Sequence, residues 1–406
     1  MVPAAAARGR YAKLVRLVDL RPLGMVIGGQ GCEQDNVPRG ARRDPDLTKP
    51  SSSHMAIPWT EVEAILHRDP GARGLATYCQ RNALDAGQLR LAAESLTRHG
   101  TTVCVVTGFR IPDATPPAAE TDGPHGALAL ARALMALGMR VSLATDAYAM
   151  PLLRAGLNAW RLEEVSLIEC PFDGDPRDES ARGSNLAADC ARTDAWIDSI
   201  LSRETRDWSH LVAIERVGPS HTVESLLAQP RSGSPPVADF ERLVPPVDRD
   251  VSHNMRGARV QAHAAKLHRL FEAVAREKPS ITTIGIGDGG NEVGMGSFAW
   301  ETLVEALDEG VGGRIACRVA TNHSIVAGVS NWGGYALALA TLALAGRAEL
   351  ARDWTIAQDA ALVETLVDHG AVDGVTLRRE ASVDGLSLPR YLPVLADLRQ
   401  AFGLPR

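Results

Sequence analysis

Three polar side chains crowd one glycine-rich stretch, GIGDGGNEVGMG, at residues 285–296. Asp288 and Glu292 carry carboxylates, and Asn291 between them can donate or accept a hydrogen bond. The first six residues of the stretch also fit the G-x-G-x-x-G pattern of a dinucleotide-binding turn. The stretch therefore predicts a ligand-binding loop, and its ligand is a nucleotide, a metal ion or a small charged molecule.

The nucleotide interpretation meets only part of the dinucleotide pattern. The turn follows a predicted strand and precedes a helical pattern, but the next predicted strand ends in Thr321-Asn322. A dinucleotide site would have an acid there to hold a ribose hydroxyl. Asp288 also lies where a pyrophosphate must come close, and its charge would repel phosphate. We therefore expect no nucleotide cofactor.

A ligand with both a positive and a negative end suits the loop better. The N–H groups of Gly289 and Gly290 can bind an anion at a helix start, whereas Asp288 and Glu292 can bind an ammonium group. An amino acid has both charges. A purely structural interpretation is also open, in which the glycines make a tight turn and Glu292 caps a helix.

Other candidate residues follow predicted strands or begin predicted helices, and each has a structural alternative. Glu215 and Arg216, at the end of HLVAIERVG, form either an ion pair or a base and a carboxylate clamp. Ser330 and Asn331 in AGVSNWGG orient a ligand, or Ser330 is an N-cap. Asp122 in ETDGPHGA is an N-cap or a ligand contact.

Apolar runs that alternate with helical patterns predict the fold. Short strands separated by helices indicate a three-layer α/β protein with a mostly parallel, Rossmann-like sheet and helices on both faces. The alternating stretch at 374–388 predicts a C-terminal hairpin. The predicted strands are 103–109, 140–146, 164–170, 210–218, 281–288 and 314–321, and the predicted helices are 126–138, 187–202, 258–277, 298–308 and 333–346.

The ends of the chain and one insertion complete the predicted organisation. We expect residues 1–55 to be disordered, or to precede the natural start at Met55, and 56–406 to form a single α/β domain. The first eighteen residues contain no acid, which loosely suits a transit peptide. We expect a cytoplasmic protein, or a mitochondrial-matrix protein if that peptide is genuine. The long proline-containing insertion at 219–256 is typical of a functional loop.

Composition restricts the partners. With 4% aromatic residues and a net charge of −6, the chain has little of the stacking and basic surface that nucleic acids require. We expect no nucleic-acid or membrane partner, and the sequence does not indicate an oligomeric state. The six cysteines form no C-x-x-C and no zinc spacing, so we interpret them as structural thiols.

Five motifs in one order resemble a known family. TGF, ETDGPHGALALARAL, HLVAIERVG, GIGDGGNEVGMG and AGVSNWGGYALA are similar to motifs of the D-glutamate cyclase family, over most of residues 56–400. The resemblance is to the catalytic C-terminal domain of the animal enzyme and to stand-alone bacterial relatives. It implies a hydro-lyase that converts D-glutamate to 5-oxo-D-proline and water.

The reaction assigns provisional roles to the candidate residues. Glu292 or Asp288 would transfer protons, and Gly289, Gly290 and Asn291 would supply oxyanion donors. Arg216 or Arg256 would clamp the α-carboxylate, and Asn254 with Arg256 resembles the family pattern. Ser330 and Asn331 would orient the substrate, and Glu215 and Asp122 would close the rim of the site.

We expect D-glutamate or a similar acidic amino acid as the small-molecule substrate, and no organic cofactor. If a metal ion is present, Asp146, Asp288 and Glu292 are its predicted ligands, and their oxygens favour Mg²⁺ or Mn²⁺. Two alternatives stay open: a metal-dependent hydrolase or lyase on another small carboxylate, and a non-catalytic sensor that binds an acidic amino acid.

Overall fold

A computed structural model describes residues 56–171, 186–203, 207–307 and 309–406. The expectation for residues 1–55 lies outside these ranges. Within them, no helix is both long and apolar enough to span a bilayer.

A parallel sheet forms the middle layer of the described part. Its six strands lie in the order β5-β4-β1-β6-β7-β8, and every neighbouring pair is parallel. The chain therefore places β4 and then β5 on one side of β1. It then crosses to the other side of β1 and adds β6, β7 and β8. The strands of this sheet and of two short hairpins are β1 (Thr102–Thr107), β2 (Arg110–Ile111), β3 (Ala118–Ala119), β4 (Arg140–Thr145), β5 (Ser166–Glu169), β6 (His210–Ile214), β7 (Thr282–Gly287), β8 (His323–Val326), β9 (Ser382–Val383) and β10 (Leu386–Ser387).

Helices cover both faces of the sheet. Alternate side chains of the strands pack against them in two separate buried apolar clusters. This arrangement confirms the predicted three-layer α/β fold. The helices are α1 (Trp59–Leu66), α2 (Leu75–Asn82), α3 (Gln88–His99), α4 (Pro124–Ala136), α5 (Met150–Ala159), α6 (Leu186–Arg203), α7 (Val223–Ala228), α8 (Val237–Leu243), α9 (His268–Glu277), α10 (Trp300–Ala306), α11 (Glu309–Ile315), α12 (Ser330–Leu344), α13 (Ile356–Asp368) and α14 (Leu388–Ala401).

Helices α4 and α12 approach each other at the level of their backbones. A Cβ on Gly334 of α12 would lie 2.9 Å from backbone atoms of Gly126 in α4. Two glycines therefore allow the helix crossing that brings the start of α12 beside the start of α4. Both starts lie at the edge of the sheet where the parallel strands end.

The sixth predicted strand, at 314–321, is wrong. Helix α11 ends at Ile315, and the following residues bond to loops rather than to the sheet: Cys317 N–H donates to Gly290 O at 2.9 Å, and Arg318 N–H to Pro219 O at 2.9 Å. The apolar run is buried against the glycine-rich loop and the long insertion. The strand itself, β8, begins at His323.

Two other predicted elements are shorter than expected. The predicted helix at 258–277 begins only at His268, because Val260 N–H donates to Ser252 O at 2.8 Å and ties the preceding segment into a turn. The C-terminal hairpin pairs only in β9 and β10. Residues 374–381 turn instead around Asp373, whose carboxylate accepts from Val375 N–H at 2.8 Å.

Candidate active site

A cavity opens at the carboxyl ends of β1 and β6, where the order of strands reverses direction. In doubly wound sheets, ligands bind at this switch point. The cavity has a volume of about 110 Å³, and a single water needs about 10–15 Å³ on the same scale. It therefore has room for a small ligand. Its lining includes Arg73, Phe109, Ile111, Glu120, Glu215, Asn254, Met255, Arg256, Asn291, Gly374 and Asp384.

Glu215 enters the cavity directly after β6. Its backbone has a φ of 47°, a left-handed conformation that ends the strand and turns the side chain inward. Its Oε2 accepts a hydrogen bond from Ser330 Oγ at 2.6 Å. Burial, followed by the charges of Glu292 and Asp122, raises the pKa of Glu215 well above its usual value. Its surroundings therefore favour the protonated form of Glu215 over the ionised form.

The glycine-rich loop is organised from inside by Glu292. The fully buried Glu292 carboxylate accepts from the N–H groups of Gly289 and Gly290 at 2.8 Å each, and from Asp288 N–H at 3.3 Å. A Cβ on Gly287 would lie 2.7 Å from Glu292 Oε2, so the carboxylate needs a glycine beside it.

These contacts differ from those expected of a proton-transfer group and of free oxyanion donors. Glu292 holds the loop in shape rather than facing a ligand. The N–H groups of Gly289 and Gly290 already have an acceptor, so they are not free oxyanion donors.

Asp288 and Asn291 have different surroundings in the same loop. Asp288 pairs with Arg73 and accepts from Ser330 N–H at 3.2 Å. Burial raises the pKa of Asp288 well above its usual value, although the Arg73 cation opposes the shift. Asn291 donates from Nδ2 to His253 O at 2.9 Å, and its Oδ1 has no hydrogen-bond partner. Asn291 lines the cavity, with one of its two Nδ2 hydrogens engaged by His253.

Asp122 caps a helix other than the one it precedes. Its two carboxylate oxygens accept from Ser330 N–H at 3.0 Å and Asn331 N–H at 2.8 Å, at the start of α12. The side chain of Asn331 continues the contact, because Oδ1 accepts from Gly126 N–H at 2.8 Å. Burial, followed by the charge of Asp384, raises the pKa of Asp122 to about 8.

Three residues of the site were not predicted: Arg73, Glu120 and Asp384. Arg73 donates to Asp384 Oδ2 at 3.0 Å and also pairs with Asp288. Its guanidinium therefore joins the segment between α1 and α2 to the glycine-rich loop and to the C-terminal hairpin. Burial, and then the charge of Glu215, raises the pKa of Glu120 well above its usual value, and Glu120 Oε1 has no hydrogen-bond partner. The VDGL motif could have indicated Asp384 from the sequence, because Asp-Gly is typical of a tight turn. Asp384 adopts a φ of 53° in that turn.

The long insertion forms one wall of the cavity, as expected for a functional loop. Asn254 Oδ1 accepts from the N–H groups of Arg256 at 3.0 Å and Ala258 at 2.9 Å, so Asn254 shapes the turn that presents Arg256. The exposed Arg256 donates from Nη2 to Val375 O at 3.2 Å, across the mouth of the cavity.

Arg216 and Asp146 lie together, away from the carboxylate cluster. The fully buried Arg216 guanidinium donates to Asp146 Oδ2 at 2.9 Å and to the carbonyls of Gly108 and Ala265. Arg216 therefore joins the loop after β1 to the segment before α9, and it does not line the cavity. Asp146, one of the three predicted metal ligands, pairs with Arg216 and not with Asp288 or Glu292.

Two other groups of acids could hold a cation in the described part of the chain. The first consists of Asp122, Asp288 and Asp384, and the second of Glu215, Asp288 and Glu292, with ligand atoms within 4.8 Å of one another. Their oxygens suit Mg²⁺ or Mn²⁺. Arg73 already supplies a positive charge to the first group, and backbone N–H groups already occupy Glu292 in the second. The residues therefore fit a metal ion poorly.

The sheet order and the cavity define a doubly wound α/β protein with buried acids at its switch point. A family model described as D-glutamate cyclase-like, C-terminal, matches residues 62–248 and 241–399, so the chain belongs to this family. It is 29% identical over 348 residues to the mitochondrial D-glutamate cyclase of Homo sapiens. The match covers 80% of this chain and 48% of the human protein, so the chain spans about half the length of that relative.

Proposed function

We propose that this protein is a hydro-lyase that converts D-glutamate to 5-oxo-D-proline and water. Family membership supports the reaction class. The observation that carries the proposal for this chain is the cavity, in which Arg73 lies among several buried carboxyl groups. An acidic amino acid has the matching charges: an ammonium for the carboxylates and two carboxylates for guanidinium groups.

The reaction needs proton transfer but no net proton. The α-nitrogen forms a bond to the γ-carbon, and one oxygen of the γ-carboxylate leaves as water. The ammonium loses two protons and keeps one in the lactam, while the leaving oxygen gains two. The site therefore has to accept protons near nitrogen and deliver them near oxygen, which is work for paired acid and base groups.

Glu215 and Glu120 are suited to this proton transfer. Both line the cavity, and the charge of Glu215 is the largest electrostatic cause of the raised pKa of Glu120 after burial. Two interacting carboxyl groups readily share one proton. We assign protonated Glu215 as the donor to the leaving oxygen and Glu120, with its unpartnered Oε1, as the acceptor from the ammonium.

The cations hold the two carboxylates of the substrate. Arg256 at the mouth is placed for the α-carboxylate, and Arg73 in the interior for the γ-carboxyl and the oxyanion that develops from it. Asn291 Oδ1 accepts from the ammonium. Fixing both ends of the substrate brings nitrogen and γ-carbon together, and such orientation supplies much of the acceleration in ring closure.

The remaining acids of the site act through other residues. Asp122 holds the start of α12, and with it the Ser330 hydroxyl that bonds to Glu215. Glu292 holds the loop that carries Asp288, whose ion pair positions Arg73. These are positioning roles.

Isotope labelling tests the proposed reaction. D-Glutamate with both γ-oxygens replaced by ¹⁸O should give 5-oxoproline that contains one ¹⁸O, because the other leaves in water. Mass spectrometry of the product distinguishes this result from the alternatives. Product that retains both labels, or that contains none, would refute intramolecular attack on the γ-carboxyl carbon.

A further inference from the structure

A second cluster of ligating side chains lies outside the cavity, at the junction of the first three helices. His67 directly follows α1, Cys79 lies in α2, and Asp85 lies in the turn before α3. All three are buried. An imidazole nitrogen, a thiol sulfur and a carboxylate oxygen from these residues lie within 4.8 Å of one another.

The contacts in this cluster leave one ligand atom without a well-aligned hydrogen bond. His67 Nε2 lies 3.1 Å from Asp85 Oδ1 and 3.2 Å from Oδ2. Oδ2 also accepts from Val326 N–H at 2.9 Å, at the end of β8. Oδ1 is buried and has no well-aligned hydrogen bond, but His67 Nε2 lies beside it and the Cys79 thiol bonds to the same carboxylate. A cation between the three side chains would neutralise this buried carboxylate.

From this arrangement we propose that His67, Cys79 and Asp85 form a binding site for a divalent transition-metal ion, with zinc as the best match. Thiolate, imidazole and carboxylate together are a donor set that zinc accepts and that magnesium does not. Nitrogen and oxygen ligands of a tetrahedral zinc lie about 3.3 Å apart, from bond lengths of about 2.0–2.1 Å. The observed separation of 3.1 Å between His67 Nε2 and Asp85 Oδ1 is close to that value.

A metal ion would also change the charge of the cluster. A dication would stabilise both the thiolate and the carboxylate. Binding would release the thiol proton to solvent and form a sulfur–metal bond. Three protein ligands leave a fourth position for water.

The position of the cluster gives the ion a structural consequence. Residues 67–85 contain Arg73, and Asp85 joins this segment to the end of β8. Gly328, just beyond that strand, donates to Leu66 O at 2.8 Å. A metal ion would therefore fasten the segment that carries Arg73 to the strand that leads into α12. The site goes beyond the proposed reaction and does not depend on it.

Metal binding to the full-length protein tests this proposal. Protein stripped with a chelator is dialysed against Zn²⁺ alone, and bound zinc is quantified by mass spectrometry. We expect about one zinc per chain in the wild type and in the control Cys170→Ala, which removes another buried thiol. We expect at least a tenfold weaker affinity in Cys79→Ala and Asp85→Asn. Wild-type protein that takes up no zinc, or equal affinity in all variants, would overturn the proposal.

A spectroscopic measurement on the wild type covers the case in which the variants fail to fold. Co²⁺ bound through Cys79 should give a thiolate-to-metal charge-transfer band in the near ultraviolet, and Zn²⁺ should displace it. Co²⁺ that binds without such a band would show that the thiol is not a ligand, which contradicts the site as proposed.

Discussion

Glu215 adopts a left-handed backbone conformation immediately after a buried strand. For a residue other than glycine this conformation costs about 1–3 kcal/mol, and such costs are concentrated at functional sites. The conformation places the Glu215 carboxyl group in the cavity beside Ser330. The site therefore contains several acids buried close together. Each negative charge raises the pKa of the neighbouring carboxyl groups, which opposes ionisation of all of them at once.

The first prediction concerns proton transfer by Glu215. Glu215→Gln keeps the shape of the side chain and can still accept from Ser330, but it cannot exchange a proton. We expect kcat for 5-oxoproline formation to fall by about 100-fold or more, with D-glutamate binding retained. Steady-state kinetics and calorimetric binding check both quantities.

Glu364→Gln, on an exposed position of α13, is the matched control and should leave kcat unchanged. If Glu215→Gln retained kcat within a few-fold of the control, Glu215 would not be the proton-transfer group.

The second prediction concerns the pH dependence of stability. Burial, followed by the charge of Asp384, raises the pKa of Asp122 from its ordinary value of 3.8 to about 8 in the folded protein. Between these values the folded state keeps a proton that the unfolded state releases, so rising pH favours unfolding. One such group contributes about 1.4 kcal/mol per pH unit. Stability from this source is fully present below pH 4 and is lost as pH approaches 8.

Asp122→Asn has no proton to release. The free energy of unfolding of this variant should therefore increase relative to that of the wild type as pH rises. We expect the difference to grow by roughly 1 kcal/mol per pH unit between about pH 5 and 8, and to level off above pH 8. Urea denaturation at several pH values measures it. Loss of one acceptor at the start of α12 adds a constant offset, whereas a difference that does not vary with pH would contradict the raised pKa.

At the scale of elements, the start of α12 and the glycine-rich loop position the acids. Helix α12 begins with N–H groups that donate to Asp122 and Asp288, and it can reach them because α12 crosses α4 at close range. A side chain at position 334 tests whether this close crossing is needed. Gly334→Ala would place a methyl group 2.9 Å from the backbone of Gly126.

We expect Gly334→Ala to destabilise the fold by about 1–3 kcal/mol through overpacking, although alanine favours a helix by about 1 kcal/mol over glycine. Chemical denaturation gives the free energy of unfolding. The control is Gly233→Ala, where a Cβ would meet no atom within 4 Å; we expect a change within about 0.5 kcal/mol. Equal stabilities for the two variants would show that the helix crossing tolerates a side chain.

The sequence predicted those elements whose apolar runs are buried in the sheet, and it failed where an apolar run is buried elsewhere. The strands β4, β5, β6 and β7 lie within the predicted ranges, and β1 begins one residue before its predicted range. The run at 314–321 is equally apolar, but its backbone bonds to the glycine-rich loop and to the insertion. Apolar composition predicts burial, and it does not identify the backbone partner.

The same limit explains the prediction of the site. Asp288, Asn291 and Glu292 were placed in one loop correctly, yet sequence alone cannot tell which carboxylate faces a ligand and which accepts N–H groups from its own loop. Arg73 was missed because it reaches Asp288 and Asp384 across more than two hundred residues of chain. Such a meeting depends on strand order and helix packing, which local patterns do not contain.

At the scale of the whole molecule, the reversal of strand order between β1 and β6 creates the cavity, and segments from distant parts of the chain line it. Arg73 comes from before the sheet, Arg256 from the insertion, and Asp384 from the C-terminal hairpin. This convergence is consistent with membership of the D-glutamate cyclase-like family and with a substrate that has three charged groups.

Turnover of the two enantiomers of glutamate tests the proposed reaction directly. Purified full-length protein is incubated with D-glutamate or L-glutamate, and 5-oxoproline is quantified by NMR against a sample without protein. We predict protein-dependent 5-oxoproline from D-glutamate and none above background from L-glutamate. Folded protein that binds D-glutamate but forms no product would contradict the proposed reaction and would instead support a sensor of acidic amino acids.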